Sequence, residues 1–380
     1  MAYERSSLSR RQALTGGALV AANLGVGAQW HSSAASSVSA DIRPTVRHIP
    51  MAGRDVPSGL RATDADDAFA LSPMVDATGY AAVGVTWARG SSAQGARFFV
   101  RTRTSDDWSR WQPVPMGDEH GPSRAGSEYR RAVPGTDPVV VGRVDAVQVK
   151  ATSTGHARPA EMTLSVIDAG QSPALASATS VGSPFYPAKA GPRTPRPAIY
   201  SRLQWGADES MRDGFAGYGE IHAAFVHHTV NTNDYSRADV PTILRGIYAY
   251  HTQSRGWSDV GYNFLVDRFG RIWEGRWGGI RRAVIGAHTL GHNENAFAMS
   301  AIGNFEVVAP SREMLQSYAQ LLGWKLSRYG VDGNGYTTID NVTLSTISGH
   351  RDAAATACPG GYLYAKIPAI RARVAAAQGA

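Results

Sequence analysis

The chain has 380 residues, 43% of them hydrophobic, and a formal net charge of +7; this length and composition allow two globular domains that each bury a core. No apolar run reaches the roughly 20 residues that a transmembrane helix needs, which excludes a stable membrane span. The basic residues are scattered, so the charge suits solubility or an anionic wall polymer, and we expect no nucleic-acid partner.

The first 40 residues contain the features of an export signal. An arginine pair, Arg10-Arg11, precedes a weakly apolar run from Ala18 to Gly27 and small-residue sites that end at Ala28 or Ala40. This pattern resembles a twin-arginine signal, and an arginine pair that occurs by chance is the alternative. We expect residues 1–40 to be a signal peptide, residues 41–59 to be a flexible lead-in, and the protein to be secreted.

Residues 60–169 form a β-rich accessory domain according to their pattern. Short runs alternate between apolar and polar residues, as in Val83, Val85 and Trp87, and Gly, Pro, Asp and Ser clusters separate them. Such alternation predicts antiparallel strands in a sandwich-like domain. The domain has no convincing catalytic constellation; Trp108 and Trp111 either stack on sugar rings or pack in the core.

A proline-rich linker is expected over residues 170–198, because this composition makes a semi-extended spacer. Residues 199–380 then alternate between helix and strand patterns. Ala223–Val226 predicts a buried strand that ends at His227 and His228, and Asp239 with Pro241 predicts the start of a helix.

Four further elements complete the second domain. The pattern predicts a hairpin of 262–266 with 271–274, a strand at 299–302, a helix from Ser311 to Gly330 and a last helix over 367–377. Few strands and three long helices indicate an α/β domain with a central mixed sheet covered by helices.

Cys358 is the only cysteine, so no disulfide can form within the chain. It follows His350 by eight residues, and together with His227 these side chains offer the imidazole and thiolate ligands that Zn²⁺ prefers. Adjacent residues of a strand point to opposite faces, so only one of His227 and His228 can face such a site. Three protein ligands would leave a fourth position open to solvent. Histidines satisfied in the core and an inert buried thiol are the alternatives.

Five motifs resemble one known family in the same order. They are Phe225-Val226-His227-His228-Thr229, Arg255-Gly256-Trp257-Ser258-Asp259-Val260-Gly261-Tyr262-Asn263-Phe264, Glu274-Gly275-Arg276, Gly286-Ala287-His288-Thr289, and Gly349-His350-Arg351-Asp352 through Cys358-Pro359-Gly360. They resemble the zinc amidase domain that peptidoglycan recognition proteins share with phage-type N-acetylmuramoyl-L-alanine amidases. The domain layout is similar to that of secreted actinobacterial members.

The resemblance implies Zn²⁺ on His227, His350 and Cys358, with Tyr262 as a catalytic proton donor. Thr356 stands where amidase-active recognition proteins have threonine and phage members have lysine. The general base stays unassigned. The residues expected to line the substrate groove or support the site are His228, His251, Trp257, Arg276, Trp277, His288 and His292.

The resemblance further implies a secreted, monomeric enzyme of the cell wall. Its expected reaction is hydrolysis of the amide bond between N-acetylmuramic acid and L-alanine of peptidoglycan. Two alternatives are a non-catalytic peptidoglycan-binding protein and a zinc hydrolase that acts on anhydro-muropeptides. Non-catalytic receptors of the family typically lack the cysteine that this chain keeps, so hydrolysis is favoured.

Overall fold

The computed structural model describes residues 43–51, 68–77, 79–117, 119–155, 158–170, 185–189 and 194–379, all within a compact unit that starts at Ser39. The expected signal peptide and most of the expected linker lie outside these residues, so both stay predictions. No helix in the described ranges is long and apolar enough to cross a membrane.

Two antiparallel sheets form the N-terminal half. Their strands are β1 (Thr45–Pro50), β2 (Ala68–Leu71), β3 (Val75–Asp76), β4 (Tyr80–Thr86), β5 (Ala96–Thr104), β6 (Asp107–Trp108), β7 (Gln112–Val114), β8 (Val139–Arg143), β9 (Ala146–Ser153) and β10 (Thr163–Asp168). One sheet has the order β1-β10-β4-β8; the other has the order β2-β9-β5-β6, with β3 on β9 and β7 on β5. Val83 of β4 shares one apolar cluster with Phe98 and Val149 of the opposite sheet. The sheets therefore form a sandwich, which confirms the predicted all-β class.

Strand β1 lies in the segment that we expected to be a flexible lead-in, and that expectation does not hold for residues 45–50. All six residues pair with β10, from Thr45 opposite Asp168 to Pro50 opposite Thr163. Most side chains of β1 remain exposed or half-buried, so its sequence lacks the apolar alternation that would reveal a strand.

The aromatic residues of the sandwich take two different positions. Trp87 is buried and stacks on Phe98 with ring centroids 5.5 Å apart, as expected for a core residue. The guanidinium of Arg101 lies over Trp108 at 4.5 Å and over Trp111 at 4.7 Å. Sugar stacking by these two indoles stays a prediction.

A six-stranded mixed sheet forms the centre of the C-terminal half. Its strands are β11 (Ile199–Tyr200), β12 (Ala223–His228), β13 (Phe264–Val266), β14 (Ile272–Glu274), β15 (Ala296–Ala301) and β18 (Ile347–Gly349), and a separate hairpin joins β16 (Tyr336–Ile339) to β17 (Val342–Ser345). The order is β11-β14-β13-β15-β12-β18. The expected hairpin is the antiparallel pair β13-β14, and the other neighbours are parallel. This confirms the predicted mixed sheet.

Helices cover the sheet. They are α2 (Arg202–Trp205), α3 (Val240–Ala249), α4 (Arg312–Arg328), α5 (Gly361–Tyr364) and α6 (Ile367–Gln378), and a short α1 (Ser127–Arg131) belongs to the N-terminal half. The hydroxyl of Ser311 accepts a hydrogen bond from the Met314 amide at 3.1 Å and begins α4 as expected. A π-helical turn, Tyr250–Ser254, extends α3.

The two halves share an apolar core. Ala82 of β4 and Ile167 of β10 belong to the same cluster as Ile243 and Ile247 of α3. Arg245 of α3 also donates hydrogen bonds to the carbonyls of Ala169 at 3.0 Å and Gly170 at 2.9 Å. Buried apolar surface and buried polar contacts therefore hold α3 against the sandwich.

A substitution at Gly84 should loosen this contact. A Cβ at Gly84 would lie 2.4 Å from the ring of Tyr250, so the strand or the ring must shift. Overpacking of this kind costs about 1–3 kcal/mol. We expect Gly84→Ala to lower the midpoint of thermal unfolding, measured by circular dichroism.

Gly155→Ala is the matched control, because no heavy atom of the described residues lies within 4 Å of a Cβ built there. Equal unfolding midpoints for the two variants would show that α3 and β4 are not closely packed.

Candidate metal centre

Four buried side chains converge between the two halves. One possible ligand atom from each of His120, His227, His350 and Cys358 lies within 4.8 Å of the others. His120 comes from the N-terminal half, in the connection between β7 and β8, and the other three come from the C-terminal half. The structure therefore brings the three predicted ligands together and places His120 of the accessory domain beside them.

The sheet register explains why two distant histidines meet. Strands β12 and β18 are parallel neighbours, with Val226 opposite Gly349. Their carboxyl ends lie at the same edge of the sheet, so His227 and His350, the next residue of each chain segment, are adjacent. Their ring centroids are 4.6 Å apart.

Alternation along β12 decides which histidine faces the cluster. Phe225 lies 6.4 Å from the ring of His227, on the same side of the strand. His228 points the other way, and its Nδ1 accepts a hydrogen bond from the Phe305 amide at 3.2 Å. His228 therefore packs in the core and accepts a backbone hydrogen bond, and it does not take part in the cluster.

Cys358 is positioned by the turn that precedes it. The Cys358 amide donates to Oγ1 of Thr356 at 3.2 Å, and the Arg351 amide donates to the Cys358 carbonyl at 3.0 Å. The His228 amide donates to Sγ at 3.4 Å. Thr356 thus holds the backbone of the cysteine, and its catalytic role stays a prediction.

The distances within the cluster suit a tetrahedral zinc ion. Nδ1 of His227 lies 3.3 Å from Nε2 of His120 and 3.5 Å from Sγ of Cys358. Zinc–nitrogen bonds of about 2.05 Å and zinc–sulfur bonds of about 2.3 Å in a tetrahedron require about 3.3 Å between two nitrogens and about 3.6 Å between nitrogen and sulfur. Both measured distances agree with this geometry.

Hydrogen bonds outside the cluster orient two of the imidazoles. Nδ1 of His120 donates to the carboxylate of Asp137, with both oxygens at 2.8 Å. Nε2 of His227 forms a hydrogen bond with Oγ1 of Thr289 at 3.2 Å. His120 therefore turns its unprotonated nitrogen towards the centre, and His227 can do the same if Nε2 is the donor, which is the arrangement that metal-ligating histidines adopt.

His350 has the signature of a missing partner. It is fully buried, and neither ring nitrogen has a hydrogen bond of good geometry from any described residue, although the Glu119 carbonyl is close enough to influence its pKa. Buried polar atoms are normally paired. A zinc ion would supply the partner, and three imidazoles with one thiolate are a donor set that Zn²⁺ accepts.

Burial sets the protonation of the cluster. Desolvation, and then the neighbouring imidazoles, lower the pKa of His227 and His350 well below the usual range, so both rings are neutral and able to ligate. Burial also raises the pKa of the Cys358 thiol. A bound divalent cation opposes that effect, because a coordinated thiol loses its proton.

Tyr262 lies against the cluster. Its ring centroid is 5.5 Å from that of His227 and 6.0 Å from that of His120. Burial, and then the charges of Asp137 and Cys358, raise the pKa of Tyr262 well above its ordinary value. The phenol therefore keeps its proton at neutral pH.

The residues expected to line an open groove are mostly buried. His251 stacks on Trp257 at 4.4 Å, His288 lies 5.4 Å from His227, and His292 lies 5.6 Å from Phe225. All of these are buried, whereas Trp277 is 41% exposed. A loop of the N-terminal half also contacts this surface, through the Leu290 amide, which donates to the Glu119 carbonyl at 3.1 Å, and the Asn293 side chain, which donates to the Gly121 carbonyl at 2.9 Å.

Arg276 is covered by the same loop. Its guanidinium is bound to the carboxylate of Glu128, which comes from α1 of the N-terminal half. Glu128 is only 4% exposed, so this ion pair is removed from water. A positive group expected to await substrate thus already has an anionic partner within the chain.

The sequence reasoning missed the contribution of the accessory domain. We expected no convincing catalytic constellation in this domain, yet His120 lies in the cluster that could hold a metal ion, where we expected a position open to solvent. No motif spacing connects His120 to ligands more than a hundred residues away. The one available signal is that His120 is the only histidine between residues 49 and 155.

The chain is similar to known proteins in both of its halves. Residues 217–361 match the family model described as N-acetylmuramoyl-L-alanine amidase, and residues 39–178 match that described as Rv3811 N-terminal galactose-binding domain-like. The solved structure of wild-type Drosophila PGRP-LB is 28% identical, with 44% of this chain and 91% of that chain covered, at a TM-score of 0.38.

Two curated relatives have similar sequences. Human N-acetylmuramoyl-L-alanine amidase is 31% identical over 175 residues, which is 44% of this chain and 27% of that protein. Peptidoglycan-recognition protein SC1a/b of Drosophila simulans is 31% identical over 170 residues, which is 44% of this chain and 83% of that protein. Because the match spans most of that relative, the chain belongs to the family of peptidoglycan recognition proteins and N-acetylmuramoyl-L-alanine amidases.

Proposed function

We propose that this protein is a zinc-dependent N-acetylmuramoyl-L-alanine amidase that hydrolyses the amide bond between N-acetylmuramic acid and L-alanine of peptidoglycan. The observation that carries the proposal is the convergence of His227, His350 and Cys358 beside Tyr262. Family membership supports peptidoglycan as the partner.

The chemistry of an amide explains why this set of residues is needed. An amide is a poor electrophile, and water is a poor nucleophile at neutral pH. A bound Zn²⁺ supplies Lewis acidity, which lowers both barriers by several kcal/mol in such sites. His227, His350 and Cys358 would hold it, and Thr289 would keep His227 in the ligating tautomer through its hydrogen bond at 3.2 Å.

Tyr262 would act on the scissile carbonyl. Its phenolic proton is retained at neutral pH because burial raises its pKa. As negative charge develops on the carbonyl oxygen, a hydrogen bond from this phenol becomes stronger. Tyr262 therefore stabilises the transition state more than the bound substrate.

A second candidate function is peptidoglycan recognition without hydrolysis. It is favoured by the burial of the cluster and by the names of several relatives, including peptidoglycan-recognition protein SC2 of Drosophila simulans. The retained Cys358 and Tyr262 favour hydrolysis, because binding alone does not require a thiolate ligand or a phenolic donor.

We infer that Arg276 recognises the stem peptide. Its guanidinium already binds one carboxylate, that of Glu128, and it lies in the motif that resembles the family's stem-peptide contact. The extra carboxylate of diaminopimelate at the third stem position would be an equivalent partner. We further propose that the twin-arginine pathway exports the protein to the cell wall. We also propose that the protein is a monomer.

The function is tested by mass spectrometry of purified sacculi after digestion. The wild-type chain and His120→Ala are compared, since His120 lies where a catalytic zinc site keeps a position open. We expect new L-alanine amino termini from at least one of them. No such termini from either protein, with one zinc bound per chain, would contradict the amidase proposal.

Two variants assign the activity to the site. Cys358→Ser removes the thiolate ligand and should weaken zinc retention and lower hydrolysis, although three imidazoles would still surround the ion. Tyr262→Phe keeps all ligands and should lower kcat by on the order of a hundredfold, as loss of one oxyanion donor does, with KM nearly unchanged. Equal kcat for Tyr262→Phe and its parent would exclude the phenol as a proton donor.

Stem-peptide preference is tested in a Glu128→Gln background, which frees Arg276 from its charged partner. There, Arg276→Ala should lower kcat/KM for diaminopimelate-type muropeptides by at least about tenfold, because a hydrogen bond to a charged group is lost. Lysine-type muropeptides, which lack the carboxylate, are the control. Equal losses on both substrates would show that Arg276 does not read this group.

A further inference from the structure

Residues 117 and 119–135 belong to a loop that we call the strap. An isolated bridge between Met116 and Thr136 holds its two ends together, and a second bridge between Thr86 and Gly135 ties one end to β4. Such a base is typical of a compact loop whose ends are close. Between these fixed ends the strap leaves the sandwich and lies on the C-terminal half.

The first anchor of the strap is His120. Its ring stacks on His350 with centroids 4.4 Å apart, and its Nε2 lies 3.3 Å from Nδ1 of His227. Asp137, just beyond the strap, fixes the tautomer that directs Nε2 inward. An imidazole in this position would complete a tetrahedral zinc site, and catalytic zinc sites keep that position open.

The second anchor is Glu128. Its carboxylate accepts hydrogen bonds from the Arg276 guanidinium and from the Ser258 amide, the latter at 2.8 Å. A buried carboxylate with a cationic partner and a backbone donor is well compensated for its loss of water. Glu128 thus occupies the place that an acidic group of a ligand would take.

Backbone hydrogen bonds dock the strap between these anchors. The Leu290 amide donates to the Glu119 carbonyl at 3.1 Å, and the Asn293 side chain donates to the Gly121 carbonyl at 2.9 Å. Arg255 donates to the Val133 carbonyl at 2.7 Å. The strap therefore meets the C-terminal half through polar groups, as a bound peptide does.

The contacts of the strap differ from those of the interface around α3. No described residue of the strap belongs to an apolar core cluster, and Gly117, Gly121 and Gly126 leave it without large apolar anchors. The shared core of Ala82, Ile243 and Ile247 lies outside it. The strap can therefore lift while the two halves remain packed, which is typical of a mobile lid.

We propose that the strap is an intramolecular inhibitor of the metal centre. His120 acts as a fourth zinc ligand, and Glu128 takes the place of an acidic stem-peptide residue at Arg276. Peptidoglycan enters only when the strap has left. The inference rests on the proposed function, since it concerns access of that substrate to the same site.

The experiment measures access to the metal rather than activity alone. Full-length protein is loaded with Co²⁺, whose visible absorption reports its ligands, and is titrated with azide. The wild type is compared with His120→Ala/Glu128→Gln. The matched control is His222→Ala/Glu220→Gln, because His222 and Glu220 form an exposed pair, 2.7 Å apart, away from the cluster.

We expect azide to leave the spectra of the wild type and the control unchanged and to alter that of the strap variant. Muropeptide affinity should rise about a hundredfold in the strap variant if the strap is closed about 99% of the time. An azide-dependent spectrum in the wild type would overturn the proposal, whether or not the variant folds.

The same data separate this inference from the proposed function. Azide access that appears only in the strap variant, without release of L-alanine termini, would support the strap and contradict the amidase. Hydrolysis by the wild type at the rate of the strap variant would support the amidase and overturn the strap.

Discussion

The candidate metal centre is defined by two short distances from Nδ1 of His227, one to Sγ of Cys358 and one to Nε2 of His120. These distances of 3.3–3.5 Å fit ligands around one cation, and neither ring nitrogen of His350 has a hydrogen-bond partner of good geometry among the described residues. Burial lowers the pKa values of His227 and His350, and neutral imidazoles gain little by packing together. A shared metal ion explains their convergence, and the parallel pairing of β12 with β18 delivers two of them.

The joining of the two halves gives the accessory domain a direct part in the site. Because α3 and β4 share a core, the sandwich holds the base of the strap at a fixed place above the cluster. Asp137 at that base orients His120, and Glu128 in the strap meets Arg276. A domain whose composition indicates only auxiliary binding therefore contributes His120 to the cluster and a carboxylate to Arg276.

Much of the fold could be predicted from the sequence, and the reasons are local. Alternation revealed β4 and β5, Ser311 marked the start of α4, and the Asp267-Arg268-Phe269-Gly270 turn marked the β13-β14 hairpin. The convergence of His227, His350 and Cys358 followed from motif resemblance. His120 could not be predicted, because its partners are set by packing between domains, and no sequence period reports such contacts. Strand β1 was missed for a related reason, since pairing at a sheet edge requires little apolar alternation.

The central claim is that one zinc ion is held by two distant segments of the C-terminal half together with the accessory domain. X-ray absorption at the zinc edge of the purified full-length protein tests it most directly. The account predicts one zinc per chain with one sulfur at about 2.3 Å and three nitrogens at about 2.0–2.1 Å. A zinc environment without sulfur, or with two imidazole nitrogens in place of three, would contradict it.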